Sequence, residues 1–226
     1  MRTKTLLLTA ALSVAGIATS MAQAVYSVNA VGYVNTPLVP GFNLISNPLD
    51  NKAANGNTIQ NLFATGIQGT IPNNLAVYHF NPDTDSFVTA VYDDLDEKFI
   101  PDAAAATVIA PGNGVFVRNP GQANLTVTFV GEVPQGATSN TQIPQGFSIK
   151  ASTVPIAGTV AEMDLPAVQG DRVFEWNAAG QTFVTSAYDD LDEAWLPAPA
   201  TLTVGEAFFI FKTAAATWTR DFSVNQ

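Results

Sequence analysis

The chain has 226 residues, of which 47% are hydrophobic and 12% charged, and it contains no cysteine. Such a composition buries a core rather than staying an acidic disordered tail, and it excludes disulfides, thiolate metal sites and thiol catalysis. The net charge of −10, more negative still once the leader's Arg2 and Lys4 are gone, repels nucleic acid and anionic lipid, so neither is expected as a partner.

Arg2 and Lys4 precede an apolar stretch from Leu6 to Ile17 that is too short to span a bilayer, and Ala22-Gln23-Ala24 has the small-x-small pattern of a cleavage site. Residues 1–24 therefore read as a signal peptide. Export to the periplasm, the cell surface or the extracellular space is expected, with no membrane insertion after cleavage.

From Tyr26 onward the pattern alternates with period two. Tyr26 to Val34 reads as a strand. Asn57 to Phe63 reads as a turn or two of helix, with Asn57 three residues ahead of Gln60 in capping-box spacing. Val77 to Phe80 is a strand that places Tyr78 and Phe80 on one face; His79, the sole histidine, falls on the other and reads as an ordinary outward position. After the turn Asn81-Pro82-Asp83 come Phe87-Val88-Thr89 and the acidic run Asp93-Asp94-Leu95-Asp96-Glu97. Strands at 113–118 and 125–133 follow, set off by the turn residues Pro111-Gly112-Asn113-Gly114 and Asn119-Pro120-Gly121.

The chain then repeats itself. Val77-Tyr78-His79-Phe80-Asn81 matches Val173-Phe174-Glu175-Trp176-Asn177, and Tyr92-Asp93-Asp94-Leu95-Asp96-Glu97 recurs as Tyr188-Asp189-Asp190-Leu191-Asp192-Glu193, both at a spacing of 96. Gly41-Phe42 pairs with Gly146-Phe147, and Gly114-Val115-Phe116-Val117 with Ala207-Phe208-Phe209-Ile210. Thr159 to Leu165 mirrors the short helix, with Thr159 three residues ahead of Glu162. The expected fold is all-β, with module one at 25–130 and module two at 131–226. Each would be a β-sandwich or partly open barrel with at most one short helix. Tyr26 to Val34, Thr126 to Val133 and Thr217 to Val224 share one strand pattern. That third copy is either shared at the junction or adds to the open edge of a neighbouring molecule, giving self-association through terminal strands.

The segments Val25-Tyr26-Ser27-Val28-Asn29-Ala30-Val31-Gly32-Tyr33-Val34, Thr128-Phe129-Val130-Gly131-Glu132-Val133-Pro134-Gln135-Gly136 and Gly146-Phe147-Ser148-Ile149-Lys150 resemble those of the uncharacterised exported β-rich repeat proteins of verrucomicrobial bacteria. The resemblance implies export and β-structure over nearly the whole mature chain and supplies no activity and no catalytic residues. The glycine-acid-glycine turn of that group is altered here to Gly112-Asn113-Gly114 and Gly205-Glu206-Ala207, which reads as a turn rather than a site.

Two constellations carry candidate chemistry. Asp93, Asp94, Asp96 and Glu97, with Asp189, Asp190, Asp192 and Glu193, crowd carboxylates that a hard cation such as Ca²⁺ would relieve, although the EF-hand register is missing. The alternative is a solvated hairpin tip whose Tyr and Leu pack inward while the acids face water. A glycoside hydrolase would need two carboxyls flanking a cleft, and duplication of the cluster fits architecture better than a single active site. No triad, nucleophile elbow or zinc spacing accompanies His79. Trp176 replaces Phe80, Trp195 replaces Phe99 and Trp218 replaces Val127, as core positions do; the alternative is a polysaccharide-stacking platform at Trp195 and Phe99. The overall expectation is a non-enzymatic exported protein with a structural or adhesive role at the cell surface or in the matrix. A polysaccharide-binding module and a carboxylate-dependent hydrolase are the alternatives.

Overall fold

The computed structural model describes residues 30–224, so the proposed signal peptide and the start of the first expected strand lie outside the described residues. The chain is all-β and consists of two half-molecules of the same design. In the first, β1 (Val31–Leu38) pairs antiparallel with β7 (Leu125–Glu132) along its full length. A five-stranded antiparallel sheet runs β2 (Gly41–Ser46), β6 (Gly114–Asn119), β3 (Ala76–Asn81), β4 (Ser86–Asp93) and β5 (Lys98–Ile100). In the second, β8 (Thr141–Ile143) pairs with β14 (Ala216–Trp218). The second sheet runs β9 (Gly146–Lys150), β13 (Phe208–Lys212), β10 (Arg172–Asn177), β11 (Thr182–Asp189) and β12 (Ala194–Leu196). Strand for strand the two sheets have the same order. Of the third copy of the strand pattern only Thr217 and Trp218 lie in a strand, β14, which pairs with β8, the short counterpart of β1; the expected continuation to Val224 is not strand. The expected boundary at 130/131 falls inside β7.

Each half is sandwich-like, with a core between its sheet and its two-stranded ribbon. The helix α1 (Ile59–Gly66) closes the first core, burying Ile59, Leu62, Phe63 and Gly66 at the i, i+3, i+4, i+7 spacing of one helical face. Its cap is Thr58, whose hydroxyl accepts from Asn61 N, and not the expected Asn57; Gln60 instead accepts from Phe99 N at 2.9 Å. Gly66 is required by proximity, since a Cβ there would sit 2.8 Å from the Thr128 carbonyl of β7. In the second half the capping box does form, with Thr159 N donating to Glu162 Oε2 at 2.8 Å and Glu162 N to Thr159 Oγ1 at 3.2 Å. It opens only a turn, because Asp164 adopts φ 54° and Pro166 follows. A second helix, α2 (Asp102–Ala105), also lies in the first half, where the pattern allowed at most one; four residues are too few to show a period. No helix among the described residues is long and apolar enough to cross a membrane.

The two cores differ in one instructive place. In the pairing register Leu75 and Asn119 of the first half correspond to Asp171 and Lys212 of the second. These two form a fully buried ion pair, completed by Thr213 N, Thr213 Oγ1 and Val168 N donating to Asp171 and by Lys212 Nζ donating to the Pro166 carbonyl. Burial alone would raise the Asp171 pKa, but the hydrogen bonds from Lys212, Thr213 and Val168 outweigh it and hold the carboxyl below its ordinary value. Its stabilising contribution is therefore complete above about pH 4 and is lost as pH falls through the lowered pKa. Replacing Lys212→Met leaves an unpaired buried carboxylate and is expected to cost about 3–5 kcal/mol at neutral pH. With Lys212 gone, burial raises the Asp171 pKa, so the gap in thermal midpoint from the parent should begin to narrow above about pH 4 and go on narrowing below it, which circular dichroism melts would show.

Candidate functional site

The acidic clusters occupy the tips of two equivalent hairpins, β4–β5 and β11–β12. Asp93 Oδ1 accepts from Leu95 N at 2.9 Å and Asp96 N at 3.4 Å, and Asp189 Oδ1 accepts from Leu191 N at 2.9 Å. Glu97 and Glu193 take matching left-handed conformations, φ 51° and φ 50°. Asp94, Asp96, Glu97, Asp190, Asp192 and Glu193 face solvent. Among the described residues no group of three or more metal-ligating side chains converges, so each cluster spends one carboxylate on its own turn and holds the others apart. The expectation that the tip leucines pack inward is corrected, because Leu95 is 90% exposed and Leu191 91%. They stand in the turn, beyond the reach of strand alternation.

Phe99 and Trp195 are buried, at 0% and 5% exposure, each edge-on to its cross-strand tyrosine with ring centroids 5.4 Å apart in both halves. Alternation in β5 and β12 turns both rings to the core, so the platform expected there has no free ring face. Trp218 is likewise internal, its indole donating to the Met163 carbonyl at 2.8 Å.

What the sequence does not reveal is the junction between the halves, which is reciprocal. Ile45 bridges Glu206 and, by the same register, Lys150 bridges Asn113. Ser46 N donates to the Gly205 carbonyl at 2.8 Å, and its counterpart Ala151 N to the Gly112 carbonyl at 2.9 Å. Gly112 and Gly205 have φ 80° and 94°; a Cβ on either would strike the buried Thr141 or Thr36 hydroxyl of the opposite half. The altered glycine turns are thus the hinges of the contact. Near the pseudo-twofold axis Gly114 faces Ala207, its own counterpart: a Cβ on Gly114 would lie 2.4 Å from Ile149 Cγ2 and 2.6 Å from the Ala207 Cβ.

Tyr78, Phe80, Phe174 and Trp176 share faces as expected, but those faces point away from their own cores and toward this junction. Phe80 and Trp176 belong to one shared apolar cluster. The ring contacts obey the pseudo-symmetry: Phe80–Phe209 and Trp176–Phe116 at 4.9 and 5.5 Å, Phe80–Phe87 and Trp176–Phe183 at 5.2 and 4.8 Å. The cover is incomplete. Phe42, Phe87, Phe147 and Phe183 remain 36–46% exposed, and a groove of about 280 Å³ lies between Phe42, Tyr78, Phe87, Phe116, Trp176 and Phe183.

A second cavity, about 430 Å³, opens between the ribbon strand β1 and the second sheet. Its wall includes Glu175, read in sequence only as the replacement for His79, and Glu206, read only as a turn residue. His79 itself is half-buried on the inner face beside Val77 rather than outward. Desolvation and then the charge of Lys150 lower its pKa. Alternation marked which residues share its side but not which side was covered.

Comparison with family models, with curated proteins and with solved structures finds no match to this chain.

Gly114→Ala is expected to destabilise the junction by about 1–3 kcal/mol through overpacking. The exchange Gly114→Ala with Ala207→Gly, which moves the Cβ to the other side of the axis, should recover part of that loss in urea unfolding.

Proposed function

We propose that this chain is a non-enzymatic exported protein with a structural or adhesive role, and that it makes contact through the aromatic surface at the junction of its two halves. The carrying observation is the set of phenylalanines left half-open on both sides of the pseudo-axis, since a contiguous exposed apolar surface on a folded protein marks an interaction site. The exposed carboxylates on the hairpin tips face water and line neither the aromatic groove nor the cavity beside β1, which favours the same reading over a hydrolase. The resemblance in the segments Val25 to Val34 and Thr128 to Gly136 supports export. Polysaccharide binding ranks behind, because the groove presents only carbon to solvent and sugar hydroxyls would lie there unpaired.

Adsorption of the purified mature chain to an alkyl-coated and to a cellulose-coated sensor tests the proposal. Retention on the alkyl surface is expected, falling several-fold in Phe87→Ser with Phe183→Ser while the far-UV spectrum is unchanged. Retention on cellulose alone, or equal retention of parent and variant, would overturn the assignment.

A further inference from the structure

Because the halves are related by pseudo-symmetry, the junction forms two equivalent niches, and they have diverged in charge. In the first, Lys150 of β9 crosses to the other half and donates to Asn113 Oδ1 at 2.8 Å, close enough to His79 to act on its charge. In the second, the registers Ile45↔Glu206 and Asn113↔Lys150 put Ile45 in the place of Lys150, Glu206 in that of Asn113 and Glu175 in that of His79. An ammonium present in one niche is missing from the other, where both of its neighbours have become carboxylates.

The acidic niche shows the consequence. Glu175 is only 5% exposed; its Oε2 accepts from Ala200 N at 2.8 Å, while Oε1 has no hydrogen-bond partner. Thr36, 3% exposed, also has a hydroxyl without a partner. Both residues line the 430 Å³ cavity together with Glu206, Leu44, Val204 and Trp176. A buried carboxylate with one oxygen unpartnered is costly, and here burial first, with Glu206 adding its charge, pushes the Glu175 pKa up against the opposing hydrogen bond from Ala200 N.

We propose that this cavity binds a small organic cation, a primary alkylammonium, with its charged head at Glu175 and Glu206 and its hydrocarbon against Leu44, Val204 and Trp176. The counterpart niche already seats such a group, the lysine ammonium of the chain itself. The cavity has the volume of a small-molecule site rather than of a single ion. The chain's net charge of −10 raises the local concentration of cations.

The test is titration of the full chain with n-butylammonium and, as the neutral isostere, n-butanol, followed by calorimetry and by thermal midpoint. Saturable binding of butylammonium with an upward shift in midpoint is expected, and none for butanol. Glu175→Gln keeps an acceptor for Ala200 N while removing the charge and should weaken binding about tenfold or more; Glu206→Gln, at an exposed position, should weaken it less and leave the fold intact. Equal response to the two probes, no saturable binding of butylammonium by the parent chain, or full affinity in Glu206→Gln would each overturn the proposal.

Discussion

The structure depends on the way each five-stranded sheet is apolar on both faces. One face meets its own ribbon and core; the other carries Phe42, Tyr78, Phe80 and Phe116 in the first half, and Phe147, Phe174, Trp176 and Phe209 in the second. A single copy would leave that second face in water. Two copies cover much of each other, and the hydrogen bonds Ser46 to Gly205 and Ala151 to Gly112 register the halves as a homodimer interface would, within one chain. Trp176 and Gln181 strengthen the contact by donating to the Phe42 carbonyl at 2.8 and 3.0 Å, a lock with no equivalent at Phe80.

Covalent linkage of the copies also lets symmetric positions diverge. The glycine facing Ala207 near the axis is the steric case, because a Cβ there would strike both Ile149 and the Ala207 Cβ. The replacement of Leu75 and Asn119 by Asp171 and Lys212 is the electrostatic case inside a core, where hydrogen bonds from Thr213 and Val168 satisfy the remaining carboxylate lone pairs. The niches beside the junction diverge most: His79, Asn113 and Lys150 on one side, Glu175, Glu206 and Ile45 on the other. The frame survives these changes because strand pairing uses the backbone, leaving side chains such as His79 of β3 and Glu175 of β10 free to vary.

The acidic hairpins illustrate a different use of charge. Each tip employs one aspartate to accept its own turn amides and leaves the rest in water, where mutual repulsion is screened and little is gained or lost. The exposure of Leu95 and Leu191 beside them follows from turn geometry, which carries their side chains out of the pleat that turns Tyr92 and Phe99 into contact.

Sequence by itself determined the duplication, the all-β class, the turns at Gly112 and Gly205, and the sharing of one face by Tyr78 and Phe80. These follow from period-two alternation and from residue types that only turns tolerate, which are local properties. Only the tertiary structure decided which face is the core, that Phe99 and Trp195 are inward while Phe87 and Phe183 are half-open, and that Glu175 and Glu206 share a cavity with Ile45. Alternation divides a strand into two sides without saying what lies over either, and residues far apart in the chain meet only once the sheets have docked.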